Sequence, residues 1–444
     1  MHRVKGKQVS RRDFVRLAAT TAAVGPFFAF PGRAFASQKK LKIAKWAHFV
    51  PEFDPWFEGM AKEWGKQHDT LVTVDNIPVE QVWAHATAEV KAGGDHDVFM
   101  FPWPPAEFHR HAIDHTEIYQ KAAFKYGSIP QISYKSTFNL KTKKHFAFAD
   151  SWIPSPLHYF QDYWAEVNMP LGPVHYGSLR SGGQRVRAKL GIPCGLALSP
   201  TLEGNISLHT LFYAFRGQIL DYDGNVVINK TAFTIEALKY AKALNQDAGT
   251  PDQLTWGSAG NVQAMLARKT SCTTNAISLL RMAEKQNPEL AKKIRLQPPL
   301  LGPYGVTAFP HATNCSVVWN FAQNQEGAKE FVGDLIDNSR TIYEKSLGCN
   351  FPSYPKTVPN LFVRLEHDSQ ADPAYKYKDL KDALHWTPNL GAPGFANPVW
   401  MEVFNSFVVP RMFSSFIKGQ LGAEDAARTA EAEVKRIAEK WKNA

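Results

Sequence analysis

Leu41-Lys42-Ile43-Ala44-Lys45-Trp46 opens the stretch, residues 41–101, whose alternation sets the fold. Residues 41–46 read as a strand, and 54–68 as a helix with Phe57, Met60, Ala61 and Trp64 on one face. Residues 71–77 read as strand again, 79–91 as a helix with Val79, Val82, Trp83, Ala86 and Val90 on its apolar side, and 97–101 as a third strand. Strands alternating with helices of this length predict an α/β fold with a parallel sheet and crossover helices. Ligands of such sheets gather beyond the carboxyl ends of the strands. Here those ends are Trp46-Ala47-His48-Phe49 and Phe101-Pro102-Trp103-Pro104.

Downstream, a second unit of the same style begins after residue 155. It reads as a helix over 176–190, a strand over 192–198, a turn at Asp223-Gly224, helices over 231–247 and 259–267, and a strand over 270–275. With no repeat and no low-complexity linker between the units, two lobes joined by short strands fit better than two tethered domains. Apolar stripes at Ala328, Phe331, Val332, Leu335, Ile336 and at Ala427, Ala430, Val434, Ile437, Ala438, Trp441 add two packed helices near the end.

Upstream, Ser10-Arg11-Arg12-Asp13-Phe14-Val15-Arg16 precedes an apolar run over 17–30 and then Ala34-Phe35-Ala36. A basic head, a short apolar middle and a small-x-small exit read as an export signal, and the paired arginines point to the twin-arginine route. Residues 1–36 are therefore expected to be a cleaved signal peptide and the mature protein to be periplasmic. An apolar run of about 14 residues falls short of the roughly 20 that span a bilayer. The first cysteine is Cys194, so no cysteine stands at the cleavage site to take a lipid.

The formal charge of +10 on 444 residues owes +6 to the seven Lys/Arg and one Asp of residues 1–36. The remaining +4 is too mild to argue for nucleic acid. Cys194, Cys272, Cys315 and Cys349 form no C-x-x-C pair, so haem attachment, thioredoxin-like redox chemistry and compact zinc sites have no support. Cys194 and Cys272 fall in expected strands of the second unit, while Cys315 and Cys349 flank a helical segment. An oxidising compartment permits disulfides, and buried free thiols remain equally open.

Several passages carry a family resemblance. Lys143-Lys144-His145-Phe146-Ala147-Phe148, followed by Leu157-His158-Tyr159-Phe160-Gln161-Asp162-Tyr163-Trp164, resembles the hinge passage of extracellular solute-binding proteins of the maltose-binding type, family 1 of the binding proteins of ABC importers. Gly217-Gln218-Ile219-Leu220-Asp221-Tyr222-Asp223-Gly224-Asn225, with the helix around Ala237-Leu238, is similar to that family's second-lobe signature. Asn324-Gln325-Glu326-Gly327-Ala328-Lys329-Glu330-Phe331-Val332 resembles its helix after the return to the first lobe, and Gly419-Gln420-Leu421-Gly422-Ala423-Glu424-Asp425-Ala426 its last-helix opening. Each pattern is loose; their joint order along nearly the whole mature chain carries the weight. The resemblance implies a two-lobe, type II-like periplasmic-binding-protein fold with hinge crossings and a cleft between lobes. It places lobe 1 on residues 37–152 and 308–351 and lobe 2 on residues 153–307 and 352–444. It also implies a monomer that delivers a mono- or oligosaccharide to the membrane permease subunits of an ABC importer.

A solute cleft needs preformed polar groups for hydroxyls and apolar faces for rings. The candidates are Trp46, His48, Phe49 and Asp54 after the first strand, Trp103 after the third, and Trp152 at the first crossing. Glu203 and Asn205 follow the strand ending at Leu198, Asn275 follows another second-lobe strand, His311 and Asn314 lie at the return crossing, and Trp400 closes Gly394-Phe395-Ala396-Asn397-Pro398-Val399. For Trp46, Trp103 and Trp152 a platform and a core role are both open, whereas Trp64, Trp83 and Trp441 read as core. Asp54 has an alternative as the cap of a helix starting at Pro55. Asp97, in Gly93-Gly94-Asp95-His96-Asp97, reads as a turn carboxylate that satisfies backbone donors.

His111 and His115 at i, i+4 would share a helix face, beside His109, but no third ligand is identifiable and no metal is assigned. The chain holds no G-x-S-x-G elbow, P-loop, H-E-x-x-H or dinucleotide fingerprint, so neither enzyme activity nor a cofactor is expected. Two alternatives remain. One is an exported cofactor- or metal-containing enzyme, since twin-arginine export carries folded proteins. The other is a binding protein for a polyamine or a metal chelate.

Overall fold

The computed structural model describes residues 39–442, and the expected signal at residues 1–36 lies outside the described residues. The opening alternation is realised as β1 (Lys39–Trp46), α1 (Phe53–Gln67), β2 (Thr70–Ile77), α2 (Val82–Ala92) and β3 (Val98–Phe101). Then come β4 (Phe148–Ile153), β5 (Leu157–Phe160), α3 (Tyr176–Leu190), α4 (Leu202–Ala214), α5 (Ala232–Ala248), β6 (Cys272–Thr274), α6 (Ser278–Gln286) and β7 (Ile294–Gln297). The chain ends with β8 (Ala312–Val318), α7 (Gln325–Asp334), β9 (Phe351–Pro352), α8 (Pro398–Asn405), α9 (Val408–Ile417) and α10 (Ala423–Lys440), with shorter helices and strand pairs in between.

Two sheets organise these elements: a six-stranded one in the order β9-β4-β8-β3-β1-β2 and a three-stranded one in the order β6-β5-β7. β1 runs parallel to β2 from Lys39↔Thr70 to Trp46↔Ile77, and parallel to β3 at Ile43↔Val98. Val98-Phe99-Met100-Phe101 is buried at every position, as a central strand covered on both faces must be. Asp97 accepts from the backbone N–H of Lys42 and of Asn324, both at 2.9 Å, so the turn carboxylate does satisfy backbone donors. β8 enters antiparallel between β3 (Cys315↔Phe101) and β4 (Ala312↔Ile153), with a register break between Asn314 and Cys315. β9 closes the edge at Phe351↔Trp152.

Pro154-Ser155-Pro156 alone separates β4 from β5, the central strand of the second sheet, which pairs Leu157 with Thr274 and with Gln297. Proline fixes φ and keeps this passage extended. The chain returns to the first sheet at β8, and its last strand, β9, belongs to that sheet too, so the strands pass between the two sheets twice. α3, α5, α9 and α10 pack together on the side of the second sheet. α4 is buried on almost every side. Its cap is Thr201, whose hydroxyl accepts from Gly204 N at 3.3 Å. A Cβ on Gly204 would stand 1.8 Å from the Ser199 carbonyl oxygen, so only glycine lets this turn close.

Two local expectations are corrected. Residues 192–198 form an extended run outside any ladder: Pro193 has no N–H to give, and the segment makes isolated bonds (Ser271 N to Pro193 O 2.7 Å, Gly195 N to Cys272 O 2.8 Å). His111 and His115 do not share a helix, because a short turn ends at Phe108 and the next helix begins at Thr116. The His109 ring bonds to Ala106 O at 2.9 Å, and His115 Nε2 accepts from Val318 N at 3.0 Å. No helix among the described residues is long and apolar enough to cross a membrane.

Candidate functional site

Glu203 stands in the first turn of α4, where the helix dipole favours a carboxylate. Its Oε2 accepts from Asn275 Nδ2 at 2.9 Å and from Asn261 Nδ2 at 3.4 Å, and its Oε1 lies 3.3 Å from His311 Nε2. Asn275 comes just past β6, Asn261 from the short helix Gly260–Leu266, and His311 one residue before β8. Three remote parts of the chain thus meet where it passes between the sheets. Asn261 also reaches Thr273 Oγ1 at 3.3 Å, which ties the amide to the strand behind it.

Aromatic side chains from the first sheet wall this cluster. Phe49 meets the His311 ring edge-on at 4.9 Å and the Trp46 ring at 5.0 Å, and Trp103 Nε1 donates to the His311 carbonyl at 3.2 Å. His158, on β5, is fully buried; burial, with His311 nearby, pushes its pKa down to about 3, so it is a neutral imidazole. The assembly offers a carboxylate, two carboxamides and imidazoles beside the Phe49 ring and the Trp103 N–H. Such a set suits a neutral ligand rich in hydroxyl groups.

The other candidate residues lie in separate environments. Asp54 does not cap α1: it accepts from Lys45 Nζ at 2.5 Å and from the backbone of His48. His48 accepts from Val50 N at 2.9 Å and contacts Asn350 Oδ1 at 3.0 Å, and burial pushes its pKa down to about 3. Asn314 donates to Ser151 Oγ at 2.9 Å. With Lys45, Trp46, Asp150 and Asn350, His48 and Asn314 line a cavity of about 20 Å³ inside the first sheet's layer. Trp152 packs on Phe351 at 5.4 Å. Trp400 stacks on Phe309 and Phe404 at 5.9 and 5.6 Å, its Nε1 donating to Tyr213 Oη at 3.3 Å, and Asn205 Nδ2 donates to Phe404 O at 2.7 Å. Trp46, Trp103, Trp152 and Trp400 are all buried. Trp64 is buried as well, and Trp83 and Trp441 are partly so.

Sequence reading passed over Asn261 and His158, although a histidine inside the apolar run Leu157-His158-Tyr159-Phe160 was a visible signal. It also passed over contacts between residues far apart in the chain. Asn405 Nδ2 donates to Glu107 Oε1 at 2.7 Å, and burial pushes the Glu107 pKa up to about 7. Arg281, on α6, donates to Leu347 O at 2.8 Å, and Lys285 pairs with Glu52.

One group of metal-ligating type occurs among the described residues, Glu89, Asp95 and His96. His96 Nδ1 lies 2.7 Å from Glu89 Oε1 and Nε2 lies 2.9 Å from Asp75 Oδ2. Burial alone would lower its pKa, but the two carboxylate bonds outweigh that and raise it. Both ring nitrogens are spent on carboxylates, so the group is an imidazolium clamp at the end of α2.

No protein-family model matches the sequence, and neither does any curated protein. Solved structures do match. A sugar transporter from Arthrobacter chlorophenolicus A6 with bound laminaribiose superposes with a TM-score of 0.74 at 14% identity, covering 89% of this chain and 99% of that one. The fold is that of the two-lobe periplasmic binding proteins. An ABC transporter solute-binding protein from Thermotoga lettingae TMO bound to α-D-tagatose gives 0.74 at 15% identity, and maltose-bound MalE3 of T. maritima 0.71 at 19%, each covering 90% of this chain and 99% of the other. In this two-lobe frame the Glu203 cluster lies where the chain crosses from one sheet to the other.

Proposed function

We propose that this chain is a periplasmic solute-binding protein that captures a small saccharide between its lobes and delivers it to the permease subunits of an ABC importer. The observation that carries the reading is the Glu203–Asn275–Asn261–His311 cluster, with Phe49 and Trp103 against His311. The sugars held by structural neighbours of the same fold support it. A polyamine calls for several carboxylates, whereas among the described residues of this cluster Glu203 is the one acid. We assign lobe 1 to residues 37–152 and 308–351 and lobe 2 to residues 153–307 and 352–444, with residues 1–36 as a twin-arginine signal.

A thermal-shift screen of mono- and oligosaccharides, polyols and amines, followed by calorimetry, tests the reading. Glu203→Gln removes a charged acceptor worth about 1.5–3 kcal/mol, which weakens binding of the saccharide hit by one to two decades. A screen without a saccharide hit, or wild-type affinity in Glu203→Gln, overturns it. For export, replacing Arg11 and Arg12 by Lys leaves precursor in the cytoplasm, and normal periplasmic accumulation of that variant refutes the twin-arginine assignment.

A further inference from the structure

Cys194 and Cys272 lie on backbone runs that touch. Ser271 N donates to Pro193 O at 2.7 Å and Gly195 N donates to Cys272 O at 2.8 Å, so hydrogen bonds flank the two residues on both sides. Backbone runs bonded to each other on either side of the two residues bring them within the reach that a disulfide spans. The two thiols are buried and within hydrogen-bonding reach of each other, and Ser271 Oγ approaches Cys194 Sγ at 3.8 Å. α3 makes room for them: a Cβ on Gly183 would stand 2.5 Å from Cys194 Sγ. Cys315 sits elsewhere, on β8 in the first sheet opposite Phe101 and Ala149, and Cys349 lies in the turn before β9.

We propose that Cys194 and Cys272 join as a disulfide after export, when local opening exposes the pair in a thiol-oxidising compartment, forming a staple behind the residues that build the Glu203 cluster. The run through Cys194 leads into α4 and delivers Glu203, and β6 begins at Cys272 and delivers Asn275, which donates to Glu203 at 2.9 Å. A bond between the two sulfurs fixes these two deliveries to each other, whatever solute the cluster takes.

The chemistry is a two-step exchange with a small disulfide such as oxidised glutathione. The Cys194 thiolate attacks one glutathione sulfur, forms a mixed disulfide and releases one glutathione thiolate. The Cys272 thiolate then attacks Cys194 Sγ and releases the second. The protein thiols lose two protons and two electrons, and the oxidant's sulfur–sulfur bond takes them up to leave as two thiols. Contact with the Cys194 thiol, and then burial, hold the Cys272 thiol well above the usual cysteine range. The packed Cys272 thiol is therefore protonated and slow to react, and exchange proceeds during refolding or local opening.

The test uses the chain lacking residues 1–36, refolded in a mixture of reduced and oxidised glutathione, alkylated, and digested without reductant. Mass spectrometry is expected to find one linked peptide pair, joining Cys194 to Cys272, with Cys315 and Cys349 alkylated. Reductant lowers the melting temperature of this material, and Cys194→Ser abolishes both the linked pair and the reductant effect. The same digest on native protein incubated in the glutathione mixture near its melting temperature keeps the outcome independent of refolding yield. Four alkylated cysteines in both samples, or a link through Cys315 or Cys349, overturns the proposal.

Discussion

Replacing Arg281 with methionine is expected to lower the melting temperature by several degrees while the fold persists. The Arg281 side chain is 5% exposed and spends its whole fork: Nε on Leu347 O at 2.8 Å, Nη1 on Glu284 Oε2 at 2.9 Å and Asp368 Oδ1 at 3.3 Å, and Nη2 on the second Asp368 oxygen. Its guanidinium carbon stands 4.0 Å from the centre of the Tyr377 ring. Methionine fills the path of the stem but leaves Asp368 and Glu284 facing a buried gap, with Glu284 helped only by Tyr377 Oη at 3.0 Å and by Lys376 Nζ at 3.9 Å. Breaking a buried pair from one side costs about 3–5 kcal/mol, mostly the penalty of the stranded charge. An unfolding entropy of about 2.1 cal/mol/K per residue, over roughly 400 residues, turns that into a fall of about 3.5–6 °C. Differential scanning calorimetry of Arg281→Met, Asp368→Asn and the double variant measures it. The double variant should melt above the sum of the two single losses, because neutralising Asp368 removes one stranded charge. A single variant melting within about 1 °C of wild type, or strictly additive losses, would refute the claim that the network is desolvated.

Glu107→Gln tests the contact between Glu107, in the short turn that ends at Phe108, and Asn405. Because the folded pKa of about 7 lies above the unfolded value of 4.5, the protonated carboxyl's contribution to stability is complete below the unfolded value and is lost as pH rises through 7. The melting temperature of wild type relative to Glu107→Gln should therefore fall between about pH 4.5 and 7 and then level off, and a pH-independent difference would contradict the assignment. The buried histidines act in the opposite direction. His48 and His158, pushed down to about 3, and His115, His145 and His209, pushed down to about 4, cost stability as pH falls below the ordinary histidine value of 6.5, so the chain should melt progressively lower in acid. Trp400→Ala should lose about 3–5 kcal/mol of stability as a packed core residue. Phe49→Ala, at the partly buried wall of the cluster, should instead lose ligand affinity with a nearly intact melt; paired calorimetry and melting curves separate the two, and the opposite pattern would move the site to Trp400.

The parts of the fold that obey a simple period were legible. β1, α1, β2, α2 and β3 follow from apolar spacing, and α3, α5 and α10 fall within a few residues of their expected spans. β8 escaped because Thr313, Asn314 and Ser316 are polar yet buried, which defeats alternation. α4 escaped for the converse reason: with Glu203, Asn205, Ser207 and His209 buried beside leucines, it has no polar face for a 3.6-residue period to mark. At the candidate site, position after a strand pointed to Glu203 and Asn275, and position at the return crossing to His311, and the structure brings the three together. The same two rules also gathered Asp54, His48 and Asn314, which bond among Lys45, Asn350 and Ser151 instead. Position in sequence says where a side chain starts, and the competing partners within reach decide where it ends.

β8 is inserted between β3 and β4, although it is made long after both. While the chain is being synthesised, β3 and β4 have no shared neighbour, and the ladder from Cys315 to Phe101 and Ala149 cannot form until residue 318 has emerged. The nascent protein therefore spends most of its synthesis as a divided sheet with open edges, the kind of non-local closure that folds slowly and attracts chaperones. A ribosome-stalled chain ending before residue 312 should remain sensitive to protease along its first half, and one extended past residue 352 should become resistant. For a protein read as leaving the cytoplasm already folded, the late strand acts as a checkpoint in time: readiness for export arrives near the end of translation.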